Sequence, residues 1–127
     1  MLGKLLAGLA ILTVVPGAAA SEGAVLQGLD KVTARISQLE APTDKPIRFG
    51  TLEVVVRTCF ETPPEEPPES AAFLEIFEAR PGEERLRVFS GWMFASSPAL
   101  SAMEHPVYDV WVVDCMNDSS SAASRSR

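Results

Sequence analysis

Residues 52–60 read LEVVVRTCF and carry a strong strand pattern. Successive side chains of a strand point to opposite faces of a sheet, so every second residue shares a face. One predicted face holds Leu52, Val54, Val56, Thr58 and Phe60, and the other holds Glu53, Val55, Arg57 and Cys59. This period of two predicts a strand that contributes to the core of a sheet protein.

Similar patterns on both sides of this stretch predict the fold class. Ser97 followed by Pro98 is typical of a helix start, so one short helix is expected within 95–104. About six strands and one short helix predict an all-β fold, either a small β-sandwich or a barrel. The remaining strands are predicted at 32–40, 47–49, 71–78, 86–94 and 107–115.

The last of these strands carries apolar side chains on both faces. Trp111 and Val113 are expected to share a face with Cys115. Strands that are buried on both sides have this composition, so residues 107–115 are predicted to be central in their sheet.

Residues 1–20 have the three parts of a secretory signal peptide. Lys4 supplies the positive start, 5–15 is the apolar run, and small residues lead to Ser21. The apolar run is about half of the ~20 residues that span a bilayer, so no stable membrane anchor is expected. The pattern predicts cleavage before Ser21 and release into the periplasm.

The rest of the chain divides into three predicted parts. Residues 21–28 are small and polar enough to predict a flexible leader, and the Ser-rich residues 117–127 predict a disordered tail. Residues 29–116 then form one β domain, because a chain of this length supports a single core.

Charge and cysteine content narrow the partners and the compartment. The formal net charge is −6, which excludes nucleic acid as the main partner because phosphate binding needs clustered Lys and Arg. Two cysteines in one small exported domain usually pair, so a Cys59–Cys115 disulfide is predicted. One histidine and two distant cysteines fall short of a structural metal site, and none is predicted.

Several sequence motifs together indicate a known protein family. They are KVT at 31–33, RFGTL at 48–52, the segment 63–74, FSGWMFASSPAL at 89–100 and EHPVYDVWVVDC at 104–115. These motifs resemble the DUF2155 family of exported alphaproteobacterial proteins, whose function is unknown. The resemblance covers most of residues 29–115 and implies export and a single domain. It implies no catalytic residue and no cofactor, because the family has no assigned activity.

The proline-rich segment 62–69 is the first candidate interaction surface. Pro63, Pro64, Pro67 and Pro68 exclude regular structure and favour an extended, solvent-facing loop. Such a loop is either a polyproline ligand for a partner or a stiff connection that prevents edge-to-edge pairing.

The second candidate surface combines Gly91, Trp92, Met93 and Phe94 with Tyr108. These residues form either a groove or a well-packed corner. The alternation of 86–94 places Trp92 on an apolar face and predicts that it is core, whereas Tyr108 is expected to be the most exposed of these aromatic residues.

Glu104, His105 and Asp109 form a candidate polar site. A triad with Ser96 or Ser97 is one reading, but there is no G-x-S-x-G elbow to hold a strained serine. Metal binding through the three side chains is another. The preferred interpretation is that His105 is a pH-sensitive hydrogen-bond donor that fixes the corner between the helix and the last strand.

Two functional hypotheses remain open. The first is a non-enzymatic periplasmic module that binds another protein of the cell envelope. The alternative is a glycan-binding or glycan-hydrolysing domain, which requires Trp92 and Tyr108 to be exposed on one face with Glu104 or Asp109 beside them.

Overall fold

A computed structural model describes residues 22–116, except for the side chains of Leu100 and Ser101. The predicted signal peptide (1–20) and the predicted tail (117–127) lie outside the described residues. Within this range the chain forms seven strands and one 3-10 helix. Their bounds are β1 (Gly23–Asp30), β2 (Arg35–Pro42), β3 (Ile47–Phe49), β4 (Leu52–Glu61), β5 (Ser70–Glu78), β6 (Leu86–Phe94), the 3-10 helix (Pro98–Ser101) and β7 (Tyr108–Met116).

The strands form two antiparallel sheets that pack face to face. One sheet has the order β2-β1-β7 and the other has the order β3-β4-β5-β6. Buried aliphatic side chains from both sheets fill the space between them, with Leu26, Leu52, Leu74, Ile76 and Val112 among the largest. The all-β prediction is therefore confirmed as a sandwich rather than a closed barrel.

The prediction of a flexible leader at 21–28 is wrong, because most of this segment belongs to β1, the central strand of its sheet. Ala24 and Leu26 are fully buried. Gly28 is required where the Phe49 ring crosses the strand, since a Cβ there would lie 2.6 Å from a ring carbon. The small residues of this segment suggested a flexible leader, but they are small because the strand is closely packed.

The predicted strand at 32–40 begins later, at Arg35. Asp30 Oδ1 accepts hydrogen bonds from the N–H groups of Val32 and Thr33, at 2.9 and 3.2 Å. Ala34 has a positive φ of 58°, which completes a tight turn between β1 and β2. The aspartate side chain thus replaces ladder bonds and delays the second strand.

The predicted helix within 95–104 is a single 3-10 turn. Pro98 lies at its start, but the side chain of Ser97 makes no capping hydrogen bond.

The prediction that 107–115 is a central strand is wrong, because β7 lies at the edge of its sheet. The connection that leads from β6 to β7 is held to the core by the side chain of Met103, which is 3% exposed.

A one-residue bulge at Arg57 changes the alternation of β4. Val56 pairs with Leu74 and Thr58 pairs with Phe73, so Arg57 is the extra residue. Beyond it, inward and outward positions exchange. Cys59 therefore points into the core, and Phe60, predicted on the same face as Leu52, points outward.

A second bulge, at Val113, likewise exchanges inward and outward positions in β7. Leu26 pairs with Val112 while Val25 pairs with Asp114, which leaves Val113 unpaired. Cys115 consequently faces the core, and the predicted shared face of Trp111 and Cys115 is wrong.

The two inward cysteines form the predicted disulfide, which joins β4 of one sheet to β7 of the other. Both residues are fully buried. The bond closes a loop with a sequence separation of 56 residues. By chain-entropy reasoning such a crosslink contributes about 4 kcal/mol to stability.

Candidate interaction surface

Three aromatic side chains lie together on the outer side of the four-stranded sheet, and we call Phe60, Phe73 and Trp92 the aromatic face. The Trp92 ring is stacked near Phe60, with centroids 6.1 Å apart, and meets Phe73 edge-on at 5.6 Å. Phe60 is 40% exposed and Trp92 is 39% exposed. The cluster thus presents large apolar rings to solvent, which is a feature of binding surfaces.

The sequence interpretation of Trp92 as a core residue is wrong. The face of β6 that carries Trp92 also carries Ser90, and both point away from the other sheet, whereas Gly91 and Met93 point inward. Met93 is 3% exposed and Phe94 is half-buried. The predicted surface of Gly91, Trp92, Met93 and Phe94 is therefore divided between the two sides of the sheet.

The proline-rich loop connects β4 to β5 and is exposed from Pro63 to Pro68. Thr62 holds its base, because the Thr62 hydroxyl donates to the carbonyl of Pro67 at 2.9 Å and accepts from the N–H of Glu69 at 3.0 Å. Glu66 N–H donates to the carbonyl of Pro63 and forms a turn inside the loop. The loop is solvent-facing, as expected, and has a defined conformation.

Glu69 links this loop to the segment after β6. Its carboxylate accepts hydrogen bonds from the hydroxyl and the N–H of Ser96 and from the N–H of Ser70. These hydrogen bonds, with Ser96 contributing most, lower the pKa of Glu69. The Ser96 hydroxyl is thus engaged by Glu69. The two ring nitrogens of His105 are engaged by the N–H groups of Val107 and Tyr108 and by Glu78, so no triad is formed with Ser96 or Ser97.

Tyr108 lies at the other end of the sandwich and is not the exposed residue that was expected. It is half-buried, and its ring meets Phe49 edge-on at a centroid distance of 5.3 Å. Gly50 makes room for it, since a Cβ on Gly50 would lie 2.2 Å from the Tyr108 oxygen. Tyr108 and Trp92 therefore do not share one face.

His105 fixes the corner that precedes β7. Its side chain is 8% exposed, and Nδ1 accepts hydrogen bonds from the N–H groups of Val107 and Tyr108 at 3.0 and 3.1 Å. The ring nitrogen Nε2 lies 3.4 Å from Glu78 Oε2. Because Nδ1 is an acceptor, the proton of the neutral ring resides on Nε2, facing the carboxylate. His105 accepts from the corner rather than donating to it.

Glu104 and Asp109 line an open groove of about 490 Å³ beside His105. Lys31 lies in the same groove, and its ammonium donates to the carbonyl of His105 at 2.8 Å. Among residues 22–116, no three His, Cys, Asp or Glu side chains are close enough to hold a metal ion. The structure therefore brings Glu104, His105 and Asp109 to one groove, but the His105 ring is engaged by the corner before β7 and by Glu78.

Comparison with known protein families assigns the chain to a family. Residues 24–115 match the family described as an uncharacterized protein conserved in bacteria, DUF2155. The chain belongs to the DUF2155 family. An uncharacterized protein of Rickettsia prowazekii (strain Madrid E) is 28% identical over 87 residues, which is 68% of this chain and 56% of that relative. No solved structure matches the chain.

The matched region of this DUF2155 protein begins with β1 and ends at Cys115. It therefore includes both cysteines of the disulfide and the whole aromatic face. Within residues 22–116, no helix is long and apolar enough to cross a membrane.

A pair of carboxyl groups lies beside the disulfide of the DUF2155 domain. Glu61 and Asp114 share a hydrogen bond, and this bond, with partial burial and the negative charge of Asp114, raises the pKa of Glu61. Asp114 also accepts from the Cys115 N–H at 2.8 Å. Sequence reasoning missed this pair because the two residues are far apart in the chain.

Phe60 and Phe73 are the other residues that the sequence did not indicate. Phe73 was visible as an apolar residue on a two-faced strand, but its orientation depends on pairing with Thr58 and Trp92. The outward position of Phe60 has no signal in the sequence, because the bulge at Arg57 is defined only by pairing with β5.

Proposed function

We propose that this DUF2155 protein is exported to the periplasm and binds another protein of the cell envelope without catalysing a reaction. The observation that carries the proposal is the aromatic face. Exposed aromatic clusters on a folded surface are enriched where partner proteins dock. Ser96 and His105 are already engaged in hydrogen bonds within the domain. The aromatic face is therefore the candidate site with the best support.

Burial energetics support a binding role for this face. Fully burying a phenylalanine stabilises a protein by about 1.5–3 kcal/mol relative to leaving it exposed. Phe60 and Trp92 forgo part of this gain, and the bulge at Arg57 is what directs Phe60 outward. A partner that covers both rings would recover that free energy at the interface.

Export is supported by two independent features. Residues 1–20 have the charge, apolar run and small residues of a signal peptide. The Cys59–Cys115 disulfide suits an oxidising compartment, because such bonds are rare in proteins of the reducing cytosol. Processing before Ser21 would release the domain with its sandwich intact.

Glycan binding is the second candidate function, and the exposed Trp92 favours it because indole rings stack on sugars. The hydrolytic version lacks support, since Tyr108, Glu104 and Asp109 lie at the other end of the sandwich. Retention on peptidoglycan that is lost in Trp92→Ala would select this alternative.

Site-specific photocrosslinking in living cells tests the main proposal. A photoreactive amino acid is placed at Trp92 in the full-length protein, and a matched control carries it at Ile36, which is 61% exposed on the other sheet. We expect one recurrent protein adduct from position 92 and none from position 36. Equal adducts from both positions, or none from position 92, would overturn the binding role of this face.

The same cells test export. The protein recovered from the periplasm should begin at Ser21 and contain no free thiol. A protein that keeps its first 20 residues, or that fractionates with the cytosol, would contradict the proposed location.

A further inference from the structure

We propose that the partner segment on the aromatic face is an extended, basic polypeptide, held by the rings of that face and by the carboxylates of the proline-rich loop. This inference rests on the proposed function and specifies the chemistry of the partner. It is carried by the distribution of charge, by an internal precedent on the same sheet, and by the open edge of β6.

The charge distribution is strongly uneven around the aromatic face. Residues 58–79 contain six glutamates and no Lys or Arg. Residues 88–124 contain no Lys or Arg either. The strands that carry Phe60, Phe73 and Trp92 therefore lead into a region that has carboxylates and lacks cations.

The loop that carries these carboxylates leaves the sheet next to the aromatic face. Phe60 pairs with Ala71, and Glu61 pairs with Ser70, so the loop leaves the sheet directly beyond the aromatic rings. Thr62 fixes its base. Glu65 and Glu66 are exposed, and in the described part of the chain neither has an ion-pair partner. Two negative charges thus remain available to an incoming cation.

The other end of the same outer face shows how this protein binds a guanidinium group. Glu53 and Phe77 are cross-strand neighbours on β4 and β5. Arg85 lies over the Phe77 ring, 3.6 Å from its centroid, and bonds Glu53 Oε1 at 2.7 Å. An aromatic ring with an adjacent carboxylate is filled there by an arginine of the same chain. The aromatic face and the proline-rich loop offer the same two elements, and the cation of β4, Arg57, is already paired with Asp44 and Glu75.

The extended conformation of the partner follows from the position of β6. This strand is the edge of its sheet, so its outer backbone groups have no strand partner among residues 22–116. An added strand would pair with this edge and place every second side chain on the outer face, beside Trp92. Lys or Arg at those alternate positions would lie over the rings and near the loop carboxylates.

A pair of peptides tests the charge requirement directly. The probe is a blocked eight-residue peptide of alternating arginine and valine, and its control replaces arginine with glutamate. The receptor is the mature, oxidised protein purified from the periplasm with Trp111→Phe, which leaves Trp92 as the only tryptophan. We expect the arginine peptide to change Trp92 fluorescence in a salt-sensitive manner, and the glutamate peptide to leave it unchanged.

Matched charge variants locate the binding carboxylates. E65Q/E66Q removes the two loop charges, and E83Q/E84Q removes two exposed charges from the turn between β5 and β6. We expect E65Q/E66Q to weaken the arginine peptide about fivefold, because each exposed ion pair contributes little, and E83Q/E84Q to change it less than twofold. Equal thermal midpoints of the two variants show that both are folded.

Three outcomes would overturn the inference. They are equal binding of the two peptides, equal weakening by the two variants, and peptide-independent association of the protein with itself through the face. The photocrosslink at position 92 separates this failure from failure of the proposed function. If a protein adduct persists at full yield in E65Q/E66Q, the face binds a partner but the partner is not recognised by its charge.

Discussion

The two ends of the sandwich are built on opposite principles. At the histidine end, which contains His105, Tyr108 and Glu78, polar groups pair with each other and rings pack against the core. At the proline end, which contains the aromatic face and residues 61–69, rings are exposed and exposed glutamates lack cations. The histidine end thus has the contacts of a stabilising corner, whereas the proline end has the exposed rings on which the proposed binding function rests.

Glu78 illustrates how complete the pairing is at the histidine end. Its carboxylate accepts hydrogen bonds from Arg80 Nε at 2.9 Å and from the Thr51 hydroxyl at 3.2 Å. The carboxylate also lies 3.4 Å from His105 Nε2. A partly buried carboxylate with three partners connects the end of β5 to Thr51 and to the His105 corner.

The largest expected effect falls on the disulfide, the one strong stabilising element at the proline end. Cys115→Ser should lower the free energy of unfolding by about 4 kcal/mol, because it opens the loop between the sheets. Chemical denaturation of the mature protein measures the change. Cys59→Ser should give the same loss, and the double variant should lose no more than either single one. An unchanged midpoint under reducing conditions would contradict this role.

A second prediction concerns space at the histidine end. Gly50→Ala should destabilise the protein by about 2–4 kcal/mol, since it adds strain at a φ of +60° to a clash with Tyr108. The matched control is Gly82→Ala, where φ is +76° but no atom lies within 4 Å of the new Cβ. The control should lose only about 1–2 kcal/mol of strain. Equal losses in the two variants would show that Tyr108 does not require the gap.

A third prediction contrasts His105 with Trp92. His105→Ala should cost about 2 kcal/mol, because two partly buried N–H groups, of Val107 and Tyr108, lose their acceptor. His105→Asn keeps a side-chain acceptor near the Nδ1 position and should recover part of the loss. Trp92→Ala, at the exposed face, should cost about 1–2 kcal/mol, because two ring contacts are lost, yet abolish co-purification of the protein that the crosslink from position 92 captures. A large destabilisation by Trp92→Ala would mean that the aromatic face is structural.

The smallest effect is expected from the carboxyl pair. The raised pKa of Glu61 means that the folded protein binds its proton more tightly than the unfolded chain does. The native state therefore loses stability as the pH rises from the ordinary pKa of a glutamate through the raised value.

Glu61→Gln removes this loss and should raise the free energy of unfolding at pH 7 by a few tenths of a kcal/mol, after screening by solvent. The gain should disappear at a pH below the ordinary glutamate pKa, where Glu61 is protonated in both states. Denaturation curves at the two pH values, with Glu65→Gln as control, measure the difference. Destabilisation at pH 7 would contradict the repulsion between Glu61 and Asp114.

The sequence predicted those features that depend on local pattern. The period of two located the main strands, and two cysteines in a small domain predicted the disulfide. It did not predict the bulges at Arg57 and Val113, because an extra residue is defined only by the pairing of neighbouring strands. The orientation of Phe60, Trp111 and Cys115 follows from those bulges and was wrong for the same reason.

Close packing explains the other differences. The glycine and alanine content of β1 resembles a leader, yet Gly28 is dictated by a ring from β3. Tyr108 was expected to be exposed, but it is half-buried because Gly50 lacks a side chain and lets the Tyr108 ring pack closely against the backbone. For the candidate site, the sequence identified the residues of the proline-rich loop but placed Trp92 in the core, since the outer face of an antiparallel sheet can also be apolar.

The bulge at Arg57 acts as a parity switch for everything that follows it in β4. Removing this one residue would turn Cys59 outward and Phe60 inward at the same time. The chain would then lose its crosslink and its exposed phenylalanine in a single step. The buried crosslink and the exposed ring on which the proposed docking depends are therefore both set by one residue, and hence by one codon.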